Sequence, residues 1–306
     1  MVNVKLTEDF HMSRIVRGMW RLDEWDLNDQ QLLKNVEETL DMGINTFDHA
    51  DVYGDYSCEQ LFGQVFNLKP GLRKRMQLVT KCGIKMLSSK YPQRKLKHYD
   101  TGYDHIISSV EQSLQNFNTD YIDLLLIHRP DPLMDPASTA RAFEQLARDG
   151  KVLHFGVSNF TPRQFEMLNA FYSGELVTNQ IEVSPYNLEN FQNHNLEFLM
   201  KEGISPMGWS PLSGGDIYQP SDQKGMRVKK QLEDVARELG VDHAGFDIAL
   251  VEGYPYVLEF NRLFGNQGLG QGKDLQDAIL GYLRSQTSPE DPDGPTDPTP
   301  LWPVAV

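Results

Sequence analysis

Seven times within the first 240 residues a short apolar run gives way to an amphipathic segment, and the pairs follow one another without a run of hairpins. Strands that alternate with helices in this way pair in parallel, because a parallel neighbour is reached only through a crossover connection. The clearest run spans 121–127, is almost wholly apolar and ends at His128. A strand of that composition is covered on both faces. Further runs are read over 15–20, 44–48, 76–80, 152–157, 176–181 and 204–210. Between them, Leu32, Leu33, Val36, Leu40 and Met42 keep roughly helical spacing behind a cap at Asp29, and Ile106, Ile107, Val110, Leu114 and Phe117 share one helical face. Segments 59–66, 137–148, 195–200 and 229–239 read as further helices, and Thr161 and Pro162 open another with a cap and a first-turn proline. No GxGxxG turn follows the first strand, which speaks against a doubly wound dinucleotide-binding sheet. The pattern predicts an α/β fold of the (β/α)8 barrel type.

Catalytic groups in such a barrel lie beyond the carboxyl ends of its strands. The stretch from Gly43 to Gly54 places a buried strand at 44–48 and then Asp48 and Tyr53 on the loop that follows. Trp20, Lys81, His128, Ser158, Asn159, Gln180, Trp209 and Ser210 fall at the ends of the other runs. Each alone has an ordinary explanation: a hydrogen-bonded histidine inside a barrel, a lysine paired with any carboxylate, a tryptophan filling space at a rim. Their recurrence at corresponding strand ends points to one shared site.

The 306 residues suit one large barrel or two average domains, and 40% hydrophobic with 24% charged residues describes a globular chain able to bury a full core. A net charge of −14 argues against a nucleic-acid surface and against anionic membranes, although the basic stretch 94–97 offers a local phosphate contact. No apolar run reaches the length of a membrane span and the first residues lack the features of a signal peptide, so a cytoplasmic location is expected. Cys58 and Cys82 lack CxxC or metal spacing and read as reduced thiols.

The motifs GMWRL (18–22), VTKCG (79–83), DLLLIHRPDPL (123–133), GVSNFTP (156–162), TNQIEVSP (178–185) and WSPLSGG (209–215) run in the order of a known family. Together with the Asp48 to Tyr53 stretch, they make residues 1 to about 242 resemble the aldo-keto reductases, close to a bacterial subgroup of oxidoreductases with HRPDPL and GVSNFTP stretches. The resemblance implies reduction of a small-molecule aldehyde or ketone by NADPH, with NADH as a further candidate, and with no catalytic metal. By resemblance Tyr53 is the proton donor, Lys81 and Asp48 support it, and His128 polarises the carbonyl. The cofactor is expected against Met19, Trp20, Ser158, Asn159, Gln180, Trp209, Ser210, Pro211, Leu212 and Gly214. Trp20, Trp25 and His128 are the candidate substrate contacts.

After about residue 242 the family pattern fades. Residues 1–284 are expected to form the barrel, with 243–284 atypical, and 285–306, rich in Pro and Asp, to be a disordered tail. Tyr256 to Phe260 is a candidate eighth strand and 275–283 a candidate last helix. Gly270 and Lys273 faintly echo the family's phosphate-binding turn, but Gln276 stands where an arginine is expected, which bears on the choice of NADPH over NADH. Residues 257–268 also resemble the last strand of ATP-grasp ligases, in which Glu259 and Asn261 would bind Mg²⁺; the rest of that fold is absent. Two other functions are carried alongside the reductase: a nicotinamide-sensing subunit of the potassium-channel type, and a barrel disabled by its altered tail. Oligomeric state is left open by the sequence.

Overall fold

The computed structural model describes residues 3–216, 218–238, 248–251, 254–257 and 304–305. Eight parallel strands close a barrel: β1 (Ile15–Gly18), β2 (Thr46–Asp48), β3 (Gln77–Cys82), β4 (Ile122–Ile127), β5 (Val152–Ser158), β6 (Leu176–Glu182), β7 (Met207–Trp209) and β8 (Val304–Ala305). They pair in numerical order, and β8 lies between β7 and β1, with Val304 opposite Gly208 and Ile15. The main covering helices are α1 (Asp29–Asp41), α2 (Cys58–Leu68), α3 (Tyr103–Phe117), α4 (Pro136–Arg148), α5 (Pro162–Asn169), α6 (Asn195–Lys201) and α7 (Gln223–Glu238). Among the described residues no helix is long and apolar enough to cross a membrane.

The expected barrel is present, with differences of detail that have physical causes. Asn28, not Asp29, caps α1: its side chain accepts from the Gln31 N–H and Gln31 returns a bond to the Asn28 N–H, a reciprocal capping box. Thr161 and Gln164 make the same box ahead of α5, with Pro162 in its first turn as the spacing predicted. The eighth strand is misplaced by the sequence reading. Tyr254–Val257 pairs antiparallel with Ile248–Val251 in a hairpin of its own instead of entering the barrel. Pro255 sits in that segment, and a strand hydrogen-bonded on both sides has no place for a residue without an N–H. Val304 and Ala305, inside the stretch expected to be a disordered tail, occupy the eighth position instead. Glu259, Asn261, Gly270, Lys273 and the candidate helix at 275–283 lie outside the described residues.

Strand alternation decides which side chains face inward. Val16, Val79, Leu124, Leu126, Val177 and Met207 meet inside the barrel, joined by Phe10 and Met12 from the hairpin Asn3–Lys5 and His11–Ser13. Leu125 and Ile127 face the other way, into the layer beneath α3, α4 and α5. Lys81 is two residues beyond Val79 on β3 and therefore shares its inward direction. β6 breaks the rule in an informative way. Val177 joins the inner cluster and Gln180 bonds to Asp48 across the barrel, three positions apart, because the pairing of β6 with β5 shifts register between Leu176 and Asn179.

Candidate active site

The loop after β2 carries Tyr53 into a single tight turn, Tyr53–Tyr56. Gly54, Asp55 and Tyr56 have φ of 57°, 50° and 64°, so three successive residues are left-handed and the chain reverses immediately after the tyrosine. Gly54 is required there twice over, by its φ and by space: a Cβ would lie 2.7 Å from Cys58 Sγ and 2.8 Å from Asp23 Cγ. The Ser57 hydroxyl closes the turn by donating to the Gly54 carbonyl at 2.5 Å.

Lys81 is the hub of the site. Its ammonium donates to both Asp48 carboxylate oxygens at 2.9 and 2.8 Å, to the His49 carbonyl at 2.7 Å and to the Tyr53 hydroxyl at 3.1 Å. Gln180 Nε2 donates to Asp48 Oδ2 at 3.1 Å, so the carboxylate is gripped from two sides. Lys81 is 1% and Asp48 4% exposed, which makes this a buried ion pair with its donors and acceptors used. Burial pulls against the charged lysine, but Asp48 and then Tyr53 outweigh it and its pKa rises above the ordinary value. Burial also raises the Tyr53 phenol; the Lys81 charge counters this, Asp48 adds to it, and the hydroxyl is held protonated. His128 meets the Tyr53 ring edge to face, with 5.8 Å between centroids. Burial, then the Lys81, Arg129 and Lys97 charges, push its pKa well below the usual histidine range, so the imidazole is neutral.

Tyr53 and His128 open onto a cavity of about 1,040 Å³. Met19, Trp20 and Trp25 line it, with Trp20 53% exposed. In the same lining Trp209 Nε1 donates to Asn159 Oδ1 at 3.0 Å, Asn159 Nδ2 donates to Ser158 Oγ at 2.8 Å, and Ser158 Oγ donates to the Gln180 carbonyl at 3.0 Å. Ser210, Pro211, Leu212 and Gly214 continue the lining. Of the residues expected at one rim, Trp20, Asp48, Tyr53, His128, Ser158, Asn159, Gln180, Trp209 and Ser210 line this cavity and Lys81 is bonded to Tyr53 beside it; Gly270 and Lys273, the candidate phosphate contacts, lie outside the described residues. Arg17, Arg21, Glu24, Arg129, Glu182 and Tyr186 also line the cavity. Arg17 and Glu182 lie at strand ends like the expected residues, Arg21 and Arg129 directly follow Trp20 and His128, and no signal in the sequence separates the six from ordinary charged and aromatic rim residues.

A second polar cluster lies behind Tyr53. Glu59 on α2 accepts from Thr80 at 2.6 Å, Ser113 at 2.9 Å and Asn116 at 3.1 Å, and Asp51 accepts from Ser109 at 2.7 Å. Burial, followed by the nearby Glu59 charge, pushes the Asp51 carboxyl up to about 8. An aspartate in the unfolded chain ionises at about pH 4, so between that pH and 8 the folded chain keeps a proton that the unfolded chain has lost. The stabilisation is full below about pH 4 and fades as pH rises through 8. Asp51→Asn imitates the neutral acid. It is expected to melt above the wild type at pH 8, with the gap closing towards pH 5; a gap independent of pH would show Asp51 to be ionised in the fold. Cys82, in the same layer, is buried and its thiol is pushed well above the usual range, first by burial, as an inert thiol requires.

The sequence model of the Aldo/keto reductase family matches residues 14–287. The chain belongs to this family. The match runs past residue 242, where the motif reading stopped, so the aldo-keto reductase pattern reaches into the atypical segment. The chain is 51% identical over 240 residues to the uncharacterized oxidoreductase YcsN of Bacillus subtilis (strain 168), covering 78% of this chain and 80% of that protein. It is 47% identical over 227 residues to the oxidoreductase YdhF of Escherichia coli (strain K12), covering 74% and 75%. It is also 39% identical over 288 residues to the 6-dehydroglucose reductase of Agrobacterium fabrum, covering 94% and 95%. Among solved structures, the glycerol dehydrogenase of Gluconobacter oxydans superposes with a TM-score of 0.66 at 24% identity, over 78% of this aldo-keto reductase and 79% of that chain, a likeness of fold.

Proposed function

We propose that this aldo-keto reductase reduces an aldehyde or ketone to the alcohol with NADPH, Tyr53 giving the proton. The observation that carries the reading is the Lys81 ammonium bonded at once to Asp48 and to the Tyr53 hydroxyl. Reduction needs a proton at oxygen as well as a hydride at carbon. A phenol kept protonated by burial is ready to give one, and the phenolate it leaves meets a fixed ammonium at 3.1 Å. Asp48 keeps that ammonium charged and in place. Neutral His128 donates a hydrogen bond to the carbonyl oxygen and stabilises the charge that develops there. When bound, the nicotinamide supplies the hydride.

The cavity suits such a cofactor in size and in lining. Ser158, Asn159 and Gln180 offer a polar set for the carboxamide, and because Gln180 Nε2 is committed to Asp48, its Oε1 is the acceptor left for an amide. Trp209, tethered to Asn159, offers a flat face for the ring. The Ser213 to Gly215 turn has φ of 53°, 68° and 103°, and Gly214 carries no side chain between its backbone and the Arg21 guanidinium 4.0 Å from where a Cβ would stand; this end suits the pyrophosphate. Likeness to the Agrobacterium fabrum 6-dehydroglucose reductase supports a small carbonyl compound with polar substituents. The reading is tested by titrating the protein with NADPH and then NADH while following tryptophan fluorescence. Three tryptophans line the cavity, so saturable quenching by NADPH is expected, and its absence would sink the reading.

A further inference from the structure

Arg129 directly follows His128, is half-buried and lines the same cavity. Its guanidinium stands over the Trp209 ring, 5.4 Å from the centroid, and no carboxylate among the described residues lies within ion-pairing distance of it. Elsewhere in the fold Arg73 is paired with Asp123 at 2.7 Å and Arg94 donates to the Tyr56 hydroxyl at 2.6 Å, whereas Arg21, the other arginine of this cavity stacked on a tryptophan, stands over Trp20 at 4.7 Å. A guanidinium presents five donors in a planar fork, so holding one half-buried without an acceptor leaves its bonding incomplete. Glu24, Glu182 and Asp216 also line the cavity, two of them at its exposed outer part, and none closes on Arg129.

Two arginines of the cavity have different neighbours. Arg21 stands beside Gly214, at the glycine turn suited to a pyrophosphate. Arg129 follows His128 directly, its charge is felt by both Tyr53 and His128, and Lys97 adds a further positive charge at His128. In a chain of net charge −14, the charges acting on His128 are those of Lys81, Arg129 and Lys97, all positive. We propose that Arg129 is the specificity residue of this reductase and binds a carboxylate carried by the aldehyde or ketone while Tyr53 and His128 hold its carbonyl oxygen. The guanidinium fork matches a carboxylate with two parallel bonds, which a lysine or an amide cannot reproduce. Adjacency of Arg129 to His128 keeps the carboxylate and the carbonyl a short distance apart in the substrate. The carboxylate takes no part in the chemistry: the carbonyl gains a hydride and a proton, and the acid group leaves unchanged.

The inference rests on the carbonyl-reductase reading, and the test separates the two. The ratio of kcat/KM for 4-carboxybenzaldehyde to that for its methyl ester, methyl 4-formylbenzoate, is measured for the wild type, Arg129→Met and Arg129→Lys. Loss of a charge-assisted pair predicts a ratio at least about tenfold lower in Arg129→Met, carried by KM for the acid, with partial recovery in Arg129→Lys. Raising the salt concentration should lower the wild-type ratio without any substitution. A ratio that is unchanged in both variants and insensitive to salt overturns the proposal, including the case in which both aldehydes are lost equally because Arg129 merely positions Trp209. Binding of 4-(hydroxymethyl)benzoate to the full chain, followed by tryptophan fluorescence, reads the subsite even if neither aldehyde is reduced. Binding weakened in Arg129→Met supports the subsite while the reductase reading fails; equal binding in both proteins overturns it.

Discussion

Tyr53→Phe is expected to lower kcat between about a hundredfold and ten-thousandfold, the range that a positioned proton donor contributes. The substitution removes one oxygen and little else. Lys81 keeps its bonds to Asp48 and the His49 carbonyl, the ring keeps its edge-to-face contact with His128, and the turn at Gly54 is untouched. NADPH affinity and melting temperature should therefore change little while turnover collapses. Turnover near the wild-type value would assign the proton to another group.

Lys81→Met is expected to cost roughly 3–5 kcal/mol of stability, because it strands the Asp48 carboxylate in a buried site without its counter-ion. Gln180 Nε2 remains as a donor but brings no charge. Activity should fall as well, since the phenolate of Tyr53 loses the ammonium that stabilises it. Pairing the change with Asp48→Asn removes the stranded charge, so the double variant should recover part of the stability and none of the activity; the coupling is read from denaturant unfolding of the four proteins. A fully additive cycle would mean that the two residues do not act as a pair.

The barrel was legible because its determinants are local. Apolar runs such as 121–127 can be covered only as interior strands, and caps such as Thr161 with Gln164 announce the next helix. The rim was legible for a related reason: strand ends are fixed by the same runs, so Asp48, Lys81, His128 and Trp209 fall into place once the strands do. What escaped depends on contacts between distant segments. The shift in β6 that turns Gln180 towards Asp48 arises from pairing with β5, which single-strand periodicity does not express. The burial of Asp51 beside Glu59 follows from how α2 and α3 pack, and a carboxylate on a loop reads as solvent-facing until that packing is known. The eighth strand was sought at the run 256–260 by apolar content alone, whereas Pro255 and the partner at Ile248–Val251 direct the described part of that run into a hairpin.

The most direct test of the account is the fate of the hydride. NADPH carrying deuterium at the transferable C4 position is incubated with the protein and an aldehyde, and the alcohol is examined by NMR. The account predicts deuterium on the carbinol carbon, in amounts that match the NADPH consumed and that collapse in Tyr53→Phe. An alcohol without deuterium, or no aldehyde-dependent loss of NADPH in a protein that binds it, would contradict the assignment of Tyr53, Lys81, Asp48 and His128 to carbonyl reduction.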